Sequence, residues 1–173
     1  MKTLNRDFVY LGSQSASRRQ LLDLADIPYK ILSHTSDEQE LDTTLPFYDR
    51  VIAIAQGKMQ SLVLPNSEQG ELPIFVLTAD TLIRTMNSNQ VFGKPNDVAH
   101  ARAMIATLSK EPAEVVTGCC LEKKIFKDAV WQTVETIAWA TASQAEFIID
   151  DVMIDRYFEK TPNFLNIAAA CLI

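Results

Sequence analysis

The chain has 173 residues with ordinary globular composition, 47% hydrophobic and 22% charged, which suffices for the buried core of one domain. Its net charge of −6 excludes the broad basic face that a nucleic-acid polymer requires. Three cysteines and two histidines offer neither a disulfide framework nor zinc-ligand spacing. The N-terminal stretch lacks the pattern of a signal peptide and the sequence has no long apolar run, so we expect a cytoplasmic protein without a membrane partner.

Short strands alternate with helices in the first half of the predicted structure. The apolar stretch 8–12, "FVYLG", is typical of a short buried strand that ends at a glycine. Leucines at helical spacing then predict a helix from about Ser15 to Ala25. The remaining elements of this half are a strand over 29–34, an amphipathic helix near 46–63 and a strong strand over 74–83.

Hairpins dominate the second half. "MNSNQVFGKP" predicts a turn and a return strand after 74–83. An asparagine cap signal precedes a helix over 96–108, two long strands joined by a basic turn follow, and a helix with two leading aspartates covers 150–160. These elements predict an α/β fold with a mixed, partly antiparallel sheet flanked by helices.

The segment "GSQSAS" between the first strand and the first helix is typical of a phosphate-binding loop, because backbone N–H groups and hydroxyls converge at a helix start. Arg18 shares a helical stripe with Leu21 and Leu22, so we expect it at the buried edge of the helix. The alternative is a serine-capped helix whose Arg19 pairs with Asp23 on the surface.

Carboxylates follow two predicted strands, Asp37 and Glu38 after one and Asp80 at the end of the other. Such groups can hold a hard divalent cation through oxygen, although each alone is also compatible with a solvated turn. Lys58 in a helix and Lys94 at a turn are ordinary surface lysines when taken separately. Together with Arg18 and the hydroxyl-rich helix start, these residues indicate a site for a phosphate chain with a metal ion.

The order "LGSQS.SRRQLL", "SDEQ", "A..K", "LTADT", "GKP" and "EVVTG" resembles the Maf family, the Maf/Ham1-like nucleotide pyrophosphatases, across nearly the whole chain. The resemblance implies one Maf-like domain over 1–173, with two lobes and a cleft between them. It implies hydrolysis of a nucleoside triphosphate to the monophosphate and pyrophosphate with Mg²⁺ or Mn²⁺, a homodimer, and a link to septum formation.

Carried over by position, the resemblance assigns residue roles. Phosphate and substrate contacts fall to the residues at the first helix start and to two lysines. The essential acids are Glu38 and Asp80, which with Asp37 would hold the metal. The substrate-binding set is Ser13, Ser15, Ser17, Arg18, Lys58, Thr81 and Lys94, and Arg18 and Lys94 also join the two acids in catalysis.

Departures from the family pattern concern base choice and the C-terminus. Thr81 resembles the branch acting on dTTP and UTP, whereas Ala16 and Ser17 stand where the family has proline followed by arginine or tryptophan. "IAAACLI" matches only the start of a glycine-rich family stretch, so we expect the chain to lack the usual C-terminal elements and to be a slow enzyme with weak base discrimination.

Two further hypotheses stand beside the pyrophosphatase. A nucleotide-binding or regulatory protein linked to cell division could keep the fold and lose turnover. A pure interaction domain would leave the charged positions without a role.

Overall fold

The computed structural model describes residues 8–35, 43–66 and 72–171. None of the helices in these ranges is long and apolar enough to cross a membrane. Six strands and four α-helices confirm the predicted α/β class. In chain order they are β1 (Val9–Leu11), α1 (Ala16–Leu24), β2 (Tyr29–Ile31), α2 (Phe47–Gln60), β3 (Ile74–Thr85), β4 (Val91–Phe92), α3 (Val98–Leu108), β5 (Ala113–Lys127), β6 (Val130–Ala145) and α4 (Asp151–Lys160).

The sheet is mixed, as predicted, with strand order β2-β1-β3-β5-β6 and with β4 paired to β3. β1 runs parallel to both neighbours, so that Tyr10 lies opposite Lys30 on β2 and Val76 on β3. β4 is antiparallel to β3. β5 and β6 are antiparallel because only two residues, Asp128 and Ala129, join these paired strands.

The chain divides into two compact units, Met1–Asp80 with Gly118–Ala140 and Thr81–Thr117 with Thr141–Ile173. β3, β5 and β6 each contribute residues to both. Each unit has its own apolar core. The core of the first includes Tyr10, Leu32, Ala55, Met59, Ile74, Val76 and Cys120, and the core of the second includes Ile83, Phe92, Ala101, Met104, Ile105, Leu108, Ala113 and Ile154.

Within the first unit, α2 packs closely on two strands. The Thr78 hydroxyl of β3 donates a hydrogen bond to the Ala55 carbonyl of α2 at 2.6 Å. A Cβ at Gly118 of β5 would lie 2.3 Å from the carbonyl oxygen of Val51. Only glycine allows this approach, and it brings the backbone of α2 directly onto β5.

Several local predictions differ from the structure. Asp97, not the preceding Asn96, caps α3 by accepting a hydrogen bond from the His100 backbone N–H at 2.7 Å. The predicted strand 29–34 ends at Ile31, and the turn before β6 holds Asp128 and Ala129 rather than basic residues. The expected apolar stripe of α1 is wrong for Leu21 and Leu24, which are exposed, whereas Arg18 is half-buried, in keeping with its expected place at the edge of the helix.

The turn between β5 and β6 gives a stability prediction. Ala129 has φ 64°, a left-handed conformation that strains a residue with a Cβ. We expect Ala129→Gly to stabilise the protein by about 1 kcal/mol, because glycine adopts this conformation without that strain. Thermal unfolding measures the change. Ala138→Gly, at an exposed strand position, is the matched control and should be destabilising; equal effects of the two variants would contradict the strain.

Candidate active site

The loop after β1 is folded back onto itself by serine hydroxyls. The Gly12 backbone N–H donates to the Leu77 carbonyl of β3 at 2.8 Å, which continues the sheet by one residue. Ser13 follows and is buried, and its Oγ accepts a hydrogen bond from the Ser15 backbone N–H at 3.2 Å. The loop therefore holds the Ser13 hydroxyl in a defined place beside the start of α1.

Arg18 returns from the first turn of α1 to this loop. Ser15 caps the helix, with its side chain accepting from the Arg18 backbone N–H at 3.5 Å. The Arg18 guanidinium Nη1 donates to Ser13 Oγ at 2.9 Å. The first turn of α1 contains no acidic residue, so the guanidinium adds to the partial positive charge of the helix start. This concentration of positive charge favours an anion.

Lys58 and Asp80 form an ion pair in which both side chains are largely buried. Their pairing follows from two periodicities. Ala55 and Lys58 lie on one face of α2 at a spacing of three, and Thr78 and Asp80 lie on one face of β3 at a spacing of two. The hydrogen bond from Thr78 to Ala55 aligns these two faces. Lys58, one turn further along α2, then meets Asp80, two residues further along β3.

Electrostatics connect the Arg18 loop to the ion pair. Burial lowers the pKa of the Arg18 guanidinium from its ordinary value, and the nearby Asp80 carboxylate opposes this shift. Cys119 on β5 also lies near Arg18, and burial raises the pKa of its thiol above the ordinary value. The thiol therefore stays neutral near neutral pH. Among the described residues, the charged groups that this loop and the ion pair bring together are Arg18, Lys58 and Asp80.

The structure brings Ser13, Ser15 and Arg18 together as one loop cluster and joins Lys58 to Asp80. Ser17 is exposed in the first turn of α1, and its role in substrate binding stays a prediction. Asp37 and Glu38, the other predicted acids, lie outside the described residues. Ser15 caps the helix, as the surface alternative also predicts, but no Arg19–Asp23 ion pair occurs among the described residues.

Lys94 and Thr81 belong to the second unit. Lys94 is exposed between Gly93, whose carbonyl accepts from the Ala169 N–H at 2.7 Å, and buried Pro95. The Thr81 hydroxyl lies 3.0 Å from that of Thr117. The backbone beside Lys94 and the hydroxyl of Thr81 therefore make their contacts within the second unit. The roles of both residues in substrate binding stay predictions.

A divalent cation fits the chemistry of Asp80, whose carboxylate oxygens are hard ligands. In the described ranges, however, no group of three metal-ligating His, Cys, Asp or Glu side chains occurs. Asp80 is the one predicted ligand within these ranges, and it is held by Lys58. The donor set for a metal thus depends on Asp37 and Glu38.

Sequence reasoning missed three polar residues near these clusters. Thr117 and Cys119 come from β5, on either side of the glycine that contacts α2. His34, after β2, lies 3.0 Å from the Gly12 carbonyl oxygen through its Nε2 atom. Thr117 could have been found from the alternation of β5, whereas no sequence pattern marks His34.

The fold is that of an α/β protein, and its hydroxyl-lined turn between a strand and a helix, with Arg18 bonded into it, resembles the anion sites that bind phosphate. The chain belongs to the Maf-like protein family, whose sequence profile matches residues 8–173. The resemblance seen in the motifs is thereby confirmed.

Named relatives are 30–35% identical to the chain over the residues that align. A dTTP/UTP pyrophosphatase of Citrifermentans bemidjiense is 30% identical over 152 residues, which cover 88% of the chain and 75% of that protein. A nucleoside triphosphate pyrophosphatase of Xylella fastidiosa is 35% identical over 138 residues, covering 80% and 70% respectively. A dTTP/UTP pyrophosphatase of Bacillus cytotoxicus is 32% identical over 133 residues, covering 75% and 63%.

From the loop cluster of Ser13, Ser15 and Arg18 we predict tight binding of a phosphate chain. We expect Arg18→Ala to weaken binding of inorganic tripolyphosphate by about 1.5–3 kcal/mol, because a charged hydrogen-bond donor is lost. Isothermal titration calorimetry measures the affinity. Arg19→Ala removes the same charge from the adjacent position and should change the affinity much less; equal losses in the two variants would show that only net charge matters.

Proposed function

We propose that this protein hydrolyses a nucleoside triphosphate, with dTTP or UTP as the preferred substrate, to the monophosphate and pyrophosphate. The observation that carries the proposal is the hydrogen bond between Arg18 and Ser13 at a helix start, close to the Lys58–Asp80 pair. The names of the relatives, dTTP/UTP pyrophosphatase and nucleoside triphosphate pyrophosphatase, support the same reaction.

The loop cluster would bind the phosphate chain. Backbone N–H groups at the start of α1 and the hydroxyls of Ser13 and Ser15 offer hydrogen bonds to phosphate oxygens. The Arg18 guanidinium would stabilise negative charge as it develops on these oxygens. Lys58, and Lys94 from the second unit, would add to this stabilisation.

Asp80 would accept the proton of the attacking water. The water oxygen forms a bond to the α-phosphorus, the bond from that phosphorus to the oxygen bridging to the β-phosphate breaks, and pyrophosphate leaves with the bond electrons. A bound triphosphate would compete for the Lys58 ammonium and free the Asp80 carboxylate for this role. Glu38 is the second candidate for proton transfer.

A divalent cation, Mg²⁺ or Mn²⁺, would be held by Asp80 together with Asp37 or Glu38. Such a cation neutralises phosphate charge and polarises the phosphoryl group. The oxygen chemistry of Asp80 supports this assignment, and removal of divalent ions with a chelator should abolish turnover.

Base choice would depend on Thr81 and on Ser17. Thr81 follows Asp80 in the chain and resembles the branch acting on dTTP and UTP. Its hydroxyl pairs with that of Thr117, so its position is fixed within the second unit. Ser17 is exposed and short, which leaves room beside the start of α1.

The ion pair itself favours one alternative, a nucleotide-binding regulator without turnover that is linked to cell division and septum formation. In the structure one oxygen of the Asp80 carboxylate is hydrogen-bonded to the Lys58 ammonium, so this oxygen is already occupied by a donor. If a bound nucleotide left this pair intact, Asp80 would accept no proton, and binding would not lead to hydrolysis.

Substitution of Asp80 separates the two readings. We expect Asp80→Asn to lower turnover at least about a hundredfold while the Kd for the nucleotide changes less, because the amide keeps the shape but cannot take a proton. Pyrophosphate release gives the rate, and calorimetry gives the affinity. Asp155→Asn, in the ion pair with Arg102 of the second unit, is the control. An equal loss of rate and affinity would argue against a proton acceptor at Asp80.

We further infer a cytoplasmic homodimer whose contact includes β6. This strand lies at the end of the strand order and carries one charged residue, Glu135. Val134, Ile137 and Trp139 on it are 51%, 50% and 40% exposed. A long, nearly uncharged edge strand pairs readily with a second copy.

The dimer is tested by light scattering on the purified protein. The wild type should have the mass of two 19.4 kDa chains, and Ile137→Lys should shift the mass toward one chain, because a charge opposes edge pairing. Val152→Lys, at an exposed apolar position of α4, is the control that should stay dimeric. A wild type with the mass of a single chain would contradict the inference.

A further inference from the structure

His34 bridges two parts of the first unit that carry candidate site residues. Its Nε2 atom lies 3.0 Å from the Gly12 carbonyl oxygen, and its Nδ1 atom lies 3.1 Å from the Ser61 hydroxyl. A carbonyl oxygen only accepts hydrogen bonds, so Nε2 must be the donor in the first contact. One imidazole ring therefore joins the loop after β1 to the end of α2.

The contact with Gly12 completes the anchoring of a single residue through both of its backbone polar groups. The Gly12 N–H is bonded to the Leu77 carbonyl of β3, and its own carbonyl accepts from His34. A Cβ at Gly12 would lie 2.7 Å from the Leu62 side chain, so the backbone here is also packed tightly. Ser13 is the next residue, and the direction of its hydroxyl toward Arg18 depends on this backbone.

The contact with Ser61 reaches the C-terminal end of α2. Ser61 is the C-cap residue, and its hydroxyl oxygen lies 3.0 Å from the Lys58 carbonyl oxygen and 3.1 Å from His34 Nδ1. The backbone around His34 is paired with the same segment, since the Thr35 N–H donates to the Ser61 carbonyl at 2.8 Å and the Val63 N–H donates to the Ser33 carbonyl at 2.9 Å. Backbone hydrogen bonds thus hold the imidazole next to the last turn of α2, which carries Lys58.

We propose that His34 is a positioning residue that sets the phosphate loop in register with the Lys58–Asp80 pair. It acts by donating to the Gly12 carbonyl, which orients Ser13 and Arg18, while the Ser61 contact and the backbone pairing of Ser33 and Thr35 hold the ring at the end of α2. The inference rests on the proposed phosphate-binding function of this loop. It assigns to His34 no proton transfer and no contact with the substrate.

Two amide substitutions separate the contacts of the ring. Gln places an N–H donor near the position of Nε2, and Asn places its amide near the position of Nδ1. We expect His34→Asn to raise the Kd for tripolyphosphate and the KM for dTTP about tenfold, as for one lost hydrogen bond, with kcat changed by less than about threefold. His34→Gln should stay within about threefold of the wild type in both constants, because the donor to Gly12 is kept.

His100→Gln is the matched control, because His100 is the other histidine of the chain and accepts a backbone hydrogen bond from Asn96 in the second unit. Thermal unfolding of all variants shows whether a loss of affinity follows a loss of folded protein. A general structural role would lower stability and affinity alike for both His34 substitutions. Equal affinities of His34→Asn and His34→Gln, whether normal or reduced, would overturn the proposal.

The readouts also separate this inference from the function on which it rests. A wild type that binds tripolyphosphate but releases no pyrophosphate would contradict the hydrolysis, and the Kd values of the two variants would still decide the role of His34. A wild type that hydrolyses dTTP without measurable affinity for tripolyphosphate leaves the decision to the KM values. A wild type that does neither would overturn both.

Discussion

The close packing of α2 on the sheet of the first unit is the constraint on which the candidate site depends. Gly118 admits the backbone of Val51, and Thr78 bonds to the carbonyl of Ala55. These contacts fix the distance of α2 from β3 and β5 and the rotation of the helix about its own axis. Lys58 then has to lie beside Asp80, and a helix displaced by one turn would lose the pair.

Among the described residues, the charges of the candidate site favour an anion. Arg18 and Lys58 are both partly withdrawn from water, and Asp80 is the carboxylate that faces them among the described residues. The first turn of α1 adds partial positive charge without an acidic side chain to offset it. A phosphate chain would bring negative charge close to Arg18 and Lys58. The net charge of −6 on the whole chain would not prevent this, because the interaction is local.

The strands and helices that carry the candidate site could largely be predicted from the sequence, because they depend on local patterns. The strong apolar run 74–83 and the Ser15 cap signal depend on local patterns, and both appear in the structure as β3 and α1. The family resemblance assigns Lys58 and Asp80 to one site but does not predict their ion pair, since two residues 22 positions apart share no local pattern. The exposure of Leu21 and Leu24 on α1 contradicts the expectation from their helical spacing. An amphipathic pattern identifies an apolar face but does not identify the element that covers it.

The bridging role of His34 could not be predicted, because it depends on the meeting of three segments that are distant in sequence. The acids Asp37 and Glu38 and the second-unit residues Lys94 and Thr81 remain predictions from the family pattern. They complete the proposed chemistry, whereas the described cluster of the first unit accounts only for phosphate recognition and one proton acceptor.

The most direct test of the central claim is product analysis with purified protein, dTTP or UTP, and Mg²⁺ or Mn²⁺. The proposed reaction yields nucleoside monophosphate and pyrophosphate in equal amounts, without orthophosphate. Release of orthophosphate and a nucleoside diphosphate would contradict attack at the α-phosphorus, and absence of any product with both metals and all common triphosphates would contradict the enzyme.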